Sequence, residues 1–142
     1  MCLALRFTGI CTIIGIRKND ENGPKEDFIM NNEVLKAMKT RRSIRKYKPE
    51  QITDEQLDAI LEAGTYAATG MGKQSPIIIA VTNKELRDKL SAMNAKIMGV
   101  DNMDPFYGAP VVLIVLADKS RPTCVYDGSL VMGNLMNAAA DL

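Results

Sequence analysis

The run Ile77-Ile78-Ile79-Ala80-Val81-Thr82 decides the fold, because six consecutive apolar or β-branched residues are typical of a buried β-strand. A second run of seven apolar residues, 111–117, directly follows Pro110 and predicts a second buried strand. Segments with helical spacing lie before, between and after the two runs. Two apolar strands flanked by helices predict a central sheet that is covered by helices on both faces.

Four helices surround these strands, each predicted from a capping residue or an apolar stripe. They begin after Asn31 or Asn32, after Thr53, after Asn83 and at Asp127. Thr53 also has Gln56 three residues later, which is the spacing of a capping box. The predicted apolar faces are, in the same order: Val34, Leu35 and Met38; Leu57, Ile60, Leu61 and Gly64; Leu86, Leu90, Met93 and Ile97; and Leu130, Val131, Leu135 and Ala138.

The composition predicts one folded domain and excludes several kinds of chemistry. The chain has 142 residues, 46% hydrophobic and 25% charged, and its net charge of +1 argues against a dedicated nucleic-acid-binding protein. It contains no histidine, which excludes Ser-His-Asp catalysis, Cys-His catalysis and His-ligated zinc. Three cysteines without C-x-x-C spacing argue against disulfides and a metal site, and favour a cytoplasmic location.

Residues 1–29 differ in pattern from the rest of the chain. The stretch through Ile16 is largely apolar, and a polar run follows it through Asp27. The apolar stretch is shorter than the roughly 20 residues that span a bilayer, and it lacks the features of a secretory signal. We therefore expect residues 1–29 to be a leader or a loosely packed arm, residues 30–142 to form the domain, and no membrane partner.

A strongly basic segment follows the first predicted helix. Residues 39–48 contain six lysines and arginines. These cations could be solvated at a helix C-terminus, or could bind a nucleic-acid backbone with Tyr47 as a stacking platform. Alternatively, Arg41, Ser43 and Arg45 would leave one face of an extended segment and bind a compact dianion such as a phosphate monoester. The residues alone leave all three interpretations open.

The loop Ala67-Ala68-Thr69-Gly70-Met71-Gly72-Lys73-Gln74-Ser75-Pro76 resembles a phosphate loop only superficially. Ala67 stands where a P-loop needs glycine, and Gln74 stands where it needs serine or threonine. A dinucleotide fingerprint needs a strand before it and a helix after it, and here the order is reversed. The loop is either an ordinary connection or a small-residue segment that brings backbone amides against a flat ligand.

Together these segments resemble the FMN-dependent nitroreductase family, in order, over residues 31–142. The matching segments are Arg41-Arg42-Ser43-Ile44-Arg45-Lys46-Tyr47, Ile52-Thr53-Asp54-Glu55-Gln56-Leu57, the loop 67–76, Tyr107-Gly108-Ala109-Pro110 with the strand after it, and the helix from Asp127 to Leu142. The resemblance implies an α+β fold with a nitroreductase-like sheet, and a homodimer with FMN at the dimer interface.

The resemblance also implies which residues bind the cofactor, and it assigns no catalytic side chain. The phosphate would be held by Arg41, Arg42, Ser43 and Arg45. The isoalloxazine ring, often that of the flavin bound mainly by the other subunit, would lie along Thr69, Gly70, Met71, Gly72, Lys73 and Gln74. Lys73 would stabilise negative charge on the reduced ring. The chain departs from the family at Gly72, where members commonly carry Asn, and at Ala68 and Thr69, where Pro and Ser are common.

The reaction implied is transfer of hydride from NADH or NADPH to the flavin, and then of electrons to a small acceptor such as a nitroaromatic or a quinone. A non-catalytic flavin- or anion-binding module is the alternative. The family normally continues beyond its central helix, whereas this chain ends at Asp141-Leu142. We therefore expect a fragment or a shortened relative whose dimer is weaker than usual for the fold.

Overall fold

A computed structural model of the chain describes residues 3–7, 10–14, 32–100 and 102–142. The chain divides into two compact units, Met1–Asn31 and Asn32–Leu142. In the first unit, β1 (Leu3–Phe7) and β2 (Ile10–Ile14) pair as antiparallel strands. The sequence analysis predicted no strands there. The polar run through Asp27 and the alternative helix cap Asn31 lie outside the described residues, and the predicted arm stays a prediction.

The described residues of the second unit form four helices, two strands and one 3₁₀ turn. The strands are antiparallel neighbours, with Ile77 opposite Leu116 and Val81 opposite Val112. The elements are, in chain order, α1 (Glu33–Thr40), α2 (Asp54–Thr65), the turn Gly70–Gly72, β3 (Ile77–Val81), α3 (Lys84–Met98), β4 (Val112–Leu116) and α4 (Cys124–Asp141). This arrangement of helices around a small sheet confirms the predicted α+β class.

Three of the four predicted helix starts are confirmed by their hydrogen bonds. The Asn32 and Asn83 side chains accept from the amides three residues on, at 2.8 and 2.9 Å. Thr53 and Gln56 form both bonds of the capping box. The fourth start was wrong, because α4 begins at Cys124 and Asp127 lies inside its first turn.

The core lies where α2, α4 and one face of the sheet meet. Ile60 of α2 and Val131 and Leu135 of α4 are buried there together with Ala67. Ile78, Leu113 and Val115 of the sheet pack against this cluster. Gly64 allows the close approach, because a Cβ on it would lie 2.7 Å from Ile78 Cδ1 and Leu135 Cδ2. The predicted stripe of α2 is therefore confirmed.

The opposite face of the sheet corrects the prediction of two fully buried strands. Ile77 is 61% exposed and Leu116 is 48% exposed, whereas Val81 at the other end of β3 is buried. Only β3 and β4 form this sheet among the described residues, and α3 packs against β3. The helical cover over this face is therefore incomplete in the described part of the chain.

Helix α3 buries a different face from the one predicted. Leu86, Met93 and Ile97 are exposed, whereas Arg87, Ser91 and Ala95 are buried. Burial of the polar pair is favourable because both side chains have partners in the loop before β4. The apolar spacing therefore identified the helix correctly but assigned its buried face wrongly.

Asp104 is the centre of this polar contact between α3 and the loop. The Ser91 hydroxyl donates to the Asp104 carboxylate at 2.6 Å, and the Arg87 guanidinium forms an ion pair with the same carboxylate. The Nε of Arg87 also donates to the Ala109 carbonyl at 3.0 Å. Burial raises the pKa of Asp104, but hydrogen bonds outweigh this effect and hold the pKa well below its ordinary value of 3.8. The donors are Ser91, Arg87 and the backbone amides of Gly108 and Phe106.

Replacement of Gly64 by alanine is expected to destabilise the fold. The added methyl group meets the buried Leu135, so we expect Gly64→Ala to lower the free energy of unfolding by about 1–3 kcal/mol through overpacking. Gly133→Ala is the matched control in α4, because a Cβ there meets no atom within 4 Å. The control should gain about 0.5–1 kcal/mol from helix propensity. Urea unfolding measures both, and equal effects of the two variants would contradict the close packing.

Stability in acid is expected to depend on Asp104. Its pKa is lower in the folded chain than in the unfolded chain, so its contribution is present above about pH 4 and is lost as the pH falls further. Asp104→Asn should cost about 1–3 kcal/mol at pH 7 and should flatten the fall in stability between pH 4 and pH 2. Urea unfolding at several pH values measures the slope. Asp58→Asn, at an exposed site on α2, controls for removal of one carboxylate. If the free energy of unfolding falls with pH equally steeply in the wild type and in Asp104→Asn, the prediction is contradicted.

Candidate functional site

The basic segment leaves α1 at Arg41, whose backbone is already extended with φ −51° and ψ 134°. Arg42 folds back, and its Nη1 donates to the carbonyls of Lys39 at 2.7 Å and Arg41 at 2.9 Å. The Lys39 carbonyl lies in the last turn of α1, at the negative end of the helix dipole, so a guanidinium is favourable there. Arg42 therefore caps α1, as the helix-terminus interpretation of this segment predicts.

The segment and the last turns of α4 enclose a cavity of about 330 Å³. Arg41, Arg42 and Ser43 line it, and the Tyr47 hydroxyl donates to the Ile44 carbonyl at 3.2 Å. Arg45 is exposed and does not line this cavity, and its predicted part in phosphate binding with Arg41 and Ser43 stays a prediction. The remaining lining residues are Ile44, Tyr47, Met136, Ala139 and Ala140.

The small-residue loop has an unusual backbone conformation. Met71 and Gln74 have positive φ angles of 52° and 47°, and Gly72 has φ 64°. Positive φ is costly for residues other than glycine and persists only where the surrounding structure holds it, most often at functional sites. Thr69 closes this loop, because its hydroxyl accepts from the Gln74 amide at 3.0 Å.

Most of the loop's backbone amides are already bonded within the protein. The Gly70 amide donates to an Asp127 carboxylate oxygen at 2.9 Å, and the Gly72 and Lys73 amides donate to carbonyls of the loop itself. The amides of Gly70, Gly72, Lys73 and Gln74 therefore already have partners within the chain, and the interpretation of the loop as a segment that lies against a flat ligand stays a prediction. What the loop presents outward is its side chains, and Met71 is 85% exposed.

Asp127 is the functional candidate that the sequence analysis missed. The sequence predicts it only as the start of α4, but the residue is 3% exposed and its side chain joins the loop to the helix. The Thr123 hydroxyl donates to its second carboxylate oxygen at 2.9 Å. An acidic residue in the first turn of a helix is an ordinary sequence feature, so the link to Gly70, 57 residues earlier, was not visible in the sequence.

The two candidate segments lie near opposite ends of α4. The loop contacts Asp127, whereas Met136 and Ala140 line the cavity beside the basic segment. A helical rise of about 1.5 Å per residue separates Asp127 from these two residues by roughly 14 and 20 Å. Gln74 borders a second cavity of about 450 Å³, which shares no lining residue with the first. Within one chain, Arg41, Arg42 and Ser43 therefore line one cavity and Gln74 lines another.

The Ser75 hydroxyl, next to Gln74 in the chain, is buried and has no hydrogen-bond partner in the described part of the structure. Buried polar atoms are normally paired, and an unpaired one calls for an explanation such as an unseen partner group. The flanking residues Gln74 and Pro76 both line the second cavity. The Ser75 hydroxyl itself is not exposed to that cavity.

Comparison with known proteins identifies the class to which this fold and these segments belong. The chain matches the Nitroreductase family over residues 38–142, and it belongs to that family. The resemblance noted in the sequence is thereby confirmed.

Three relatives illustrate the similarity. An FMN reductase (NAD(P)H) of Bacillus subtilis strain 168 is 37% identical over 90 residues, which are 63% of this chain and 34% of the relative. The structure of a nitroreductase with bound FMN from Bacteroides fragilis has a TM-score of 0.72 at 30% identity, and the match covers 78% of this chain and 65% of that protein's chain. A nitroreductase with bound FMN from Desulfitobacterium hafniense has a TM-score of 0.71 at 30% identity, and the match covers 79% of this chain and 66% of that protein's chain.

The chain spans about a third of the length of the Bacillus relative and just under two thirds of the length of these two solved structures. Among the helices of the described residues, none combines the length and the apolar character needed to cross a membrane.

Proposed function

We propose that this chain forms the FMN-binding part of an oxidoreductase that uses NADH or NADPH to reduce a small acceptor such as a nitroaromatic or a quinone. The observation that carries the proposal is the cavity at the end of α1, where Arg41, Arg42 and Ser43 meet the last turns of α4. It supports the proposal because a cationic cleft beside an apolar helix surface suits a phosphate attached to a larger ligand. The odd number of cysteines favours a cytoplasmic location for this activity.

The residues of this cavity fit a flavin phosphate. Arg41 supplies a guanidinium fork that matches phosphate oxygens in charge and geometry, and Ser43 supplies a hydroxyl donor. Arg42 already donates to two carbonyls, so its role is to hold the segment while its charge adds to the field. Met136, Ala139 and Ala140 form an apolar wall, and the small side chains of the two alanines leave room for the rest of the ligand.

When bound, FMN supplies the redox chemistry, accepting hydride from the nicotinamide and releasing electrons to the acceptor. The chain's part is to bind, orient and stabilise. Lys73 follows the 3₁₀ turn on the exposed side of the loop and would place a cation near the negative charge of the reduced ring. Chemistry that resides in the cofactor is compatible with a chain that contains no histidine.

We further propose a homodimer in which one subunit supplies the phosphate residues and its partner supplies the loop. The separation of the two segments along α4 supports this, because a second copy would bring the two kinds of residue to one ligand. Apolar side chains left exposed on α1 and α4 support it as well: Val34 is 63%, Leu130 51% and Met136 46% exposed. Two-fold pairing is the commonest arrangement for such surfaces.

Binding of the FMN phosphate by Arg41 and Arg45 predicts a difference between the affinities of the chain for FMN and for riboflavin. The wild-type chain should bind FMN more tightly than riboflavin, which lacks the phosphate. Arg41→Ala and Arg45→Ala should weaken FMN binding by about one to two powers of ten and leave riboflavin binding unchanged, since a charged hydrogen bond contributes about 1.5–3 kcal/mol. Lys89→Ala, an exposed cation on α3, is the control for lost charge. Flavin fluorescence titration measures each affinity.

Full retention of FMN binding by both arginine variants would contradict the assignment, and loss of DNA affinity in its place would favour the nucleic-acid interpretation.

In the wild-type complex, the flavin absorbance should bleach when NADH or NADPH is added without oxygen. A bound flavin that neither nucleotide bleaches would indicate the non-catalytic binding module.

The shared site predicts that the dimer depends on the exposed face of α4. Leu130→Glu should weaken self-association by at least tenfold, because burial of a leucine contributes about 2 kcal/mol and a charge there opposes contact. Leu86→Glu on α3 is the matched control, since Leu86 is 48% exposed. Light scattering over a concentration series measures the effect. A wild-type monomer that binds FMN at every concentration would contradict the shared site.

A further inference from the structure

We infer that Asp127 is a positioning residue that seats the loop Thr69–Gln74 on α4 and thereby sets the affinity for the flavin ring, independently of the phosphate. This inference rests on the proposed function, since it concerns the same cofactor.

The contacts of Asp127 make it a bridge between two elements. One carboxylate oxygen accepts from the Gly70 amide at 2.9 Å, and the other accepts from the Thr123 hydroxyl at 2.9 Å. The side chain is 3% exposed, so both bonds are shielded from water. Hydrogen bonds to a carboxylate are stronger than neutral ones, and the first turn of a helix favours a negative charge. Asp127 is thus held in place by α4 and in turn holds the loop.

Close packing of Gly70 against Thr123 also fixes the loop against α4. A Cβ on Gly70 would collide with the Thr123 hydroxyl and would lie 2.9 Å from Thr123 Cγ2. The loop backbone therefore lies directly against the start of α4, and glycine is needed there for space. Both the hydrogen bond and the packing fix Gly70 relative to the helix.

The strained residues begin immediately after this anchor. Met71 and Gly72 have positive φ, and Met71 is the most exposed large apolar side chain of the loop. A conformation of this kind persists only while its neighbours hold it. Loss of the Asp127 bond should therefore release Met71, Lys73 and Gln74 from the positions in which they would meet the ring, while the cavity lined by Arg41 at the other end of α4 stays intact.

The test compares FMN with riboflavin, because the two flavins share the ring and differ in the phosphate. We expect Asp127→Ala to lower the affinity for both flavins by the same factor, about tenfold or more. Arg41→Ala should lower the affinity for FMN alone. Asp127→Asn keeps an acceptor for the Gly70 amide and should have a smaller effect of the same kind. Asp58→Ala, an exposed site on α2, controls for the lost charge.

Hydrogen exchange of the Gly70 amide gives a second measurement that needs no flavin. The amide should exchange slowly in the wild type and quickly in Asp127→Ala, with the amides of α2 and β3 unchanged. Gly70→Ala, which displaces the loop but keeps the carboxylate, should reproduce the flavin result. If Asp127→Ala fails to fold, Asp127→Asn and Gly70→Ala serve as the test.

Two outcomes overturn the inference. One is that Asp127→Ala lowers the affinity for FMN but leaves the affinity for riboflavin unchanged, because the residue would then act on binding of the phosphate. The other is that exchange at Gly70 accelerates while both affinities stay at the wild-type value, because the loop position would then not govern ring binding. If the wild-type chain binds neither flavin, the proposed function itself fails, and this result is distinct from both.

Discussion

The close contact of α4 with α2 and β3 at Gly64 is the constraint on which the rest of the unit depends. Because Gly64 has no side chain, Leu135 and Ile78 reach the same point, and α4 lies in the middle of the core. Asp127 near the start of α4 contacts the loop, and Ala140 near its end lines the cavity beside the basic segment. The helix is therefore the central structural element, and it sets the distance between the two candidate segments within one chain.

Local chemistry allowed much of this structure to be predicted from the sequence. Capping side chains at Asn32, Thr53 and Asn83 act within three residues, so they can be identified without knowledge of the tertiary fold. The two apolar runs were also correctly identified as strands. Both kinds of signal are short-range, and the order of the segments was sufficient to suggest the family that the comparisons then confirmed.

The features that were missed are long-range. The buried polar face of α3 depends on Asp104, which lies 17 residues after Arg87 and 13 after Ser91. The anchoring of Gly70 by Asp127 depends on the packing of α4. Neither hydrophobic periodicity nor spacing between neighbours carries this information.

The conformation at position 72 explains one departure from the family pattern. Gly72 has φ 64°, and glycine and asparagine are the residues that adopt this left-handed region most readily. Asparagine, the residue that the family resemblance leads us to expect here, therefore satisfies the same backbone requirement. A side chain at this position has open space around it, since a Cβ at Gly72 meets no atom within 4 Å. An asparagine would thus add a polar group to the surface of the loop without a change in the path of its backbone.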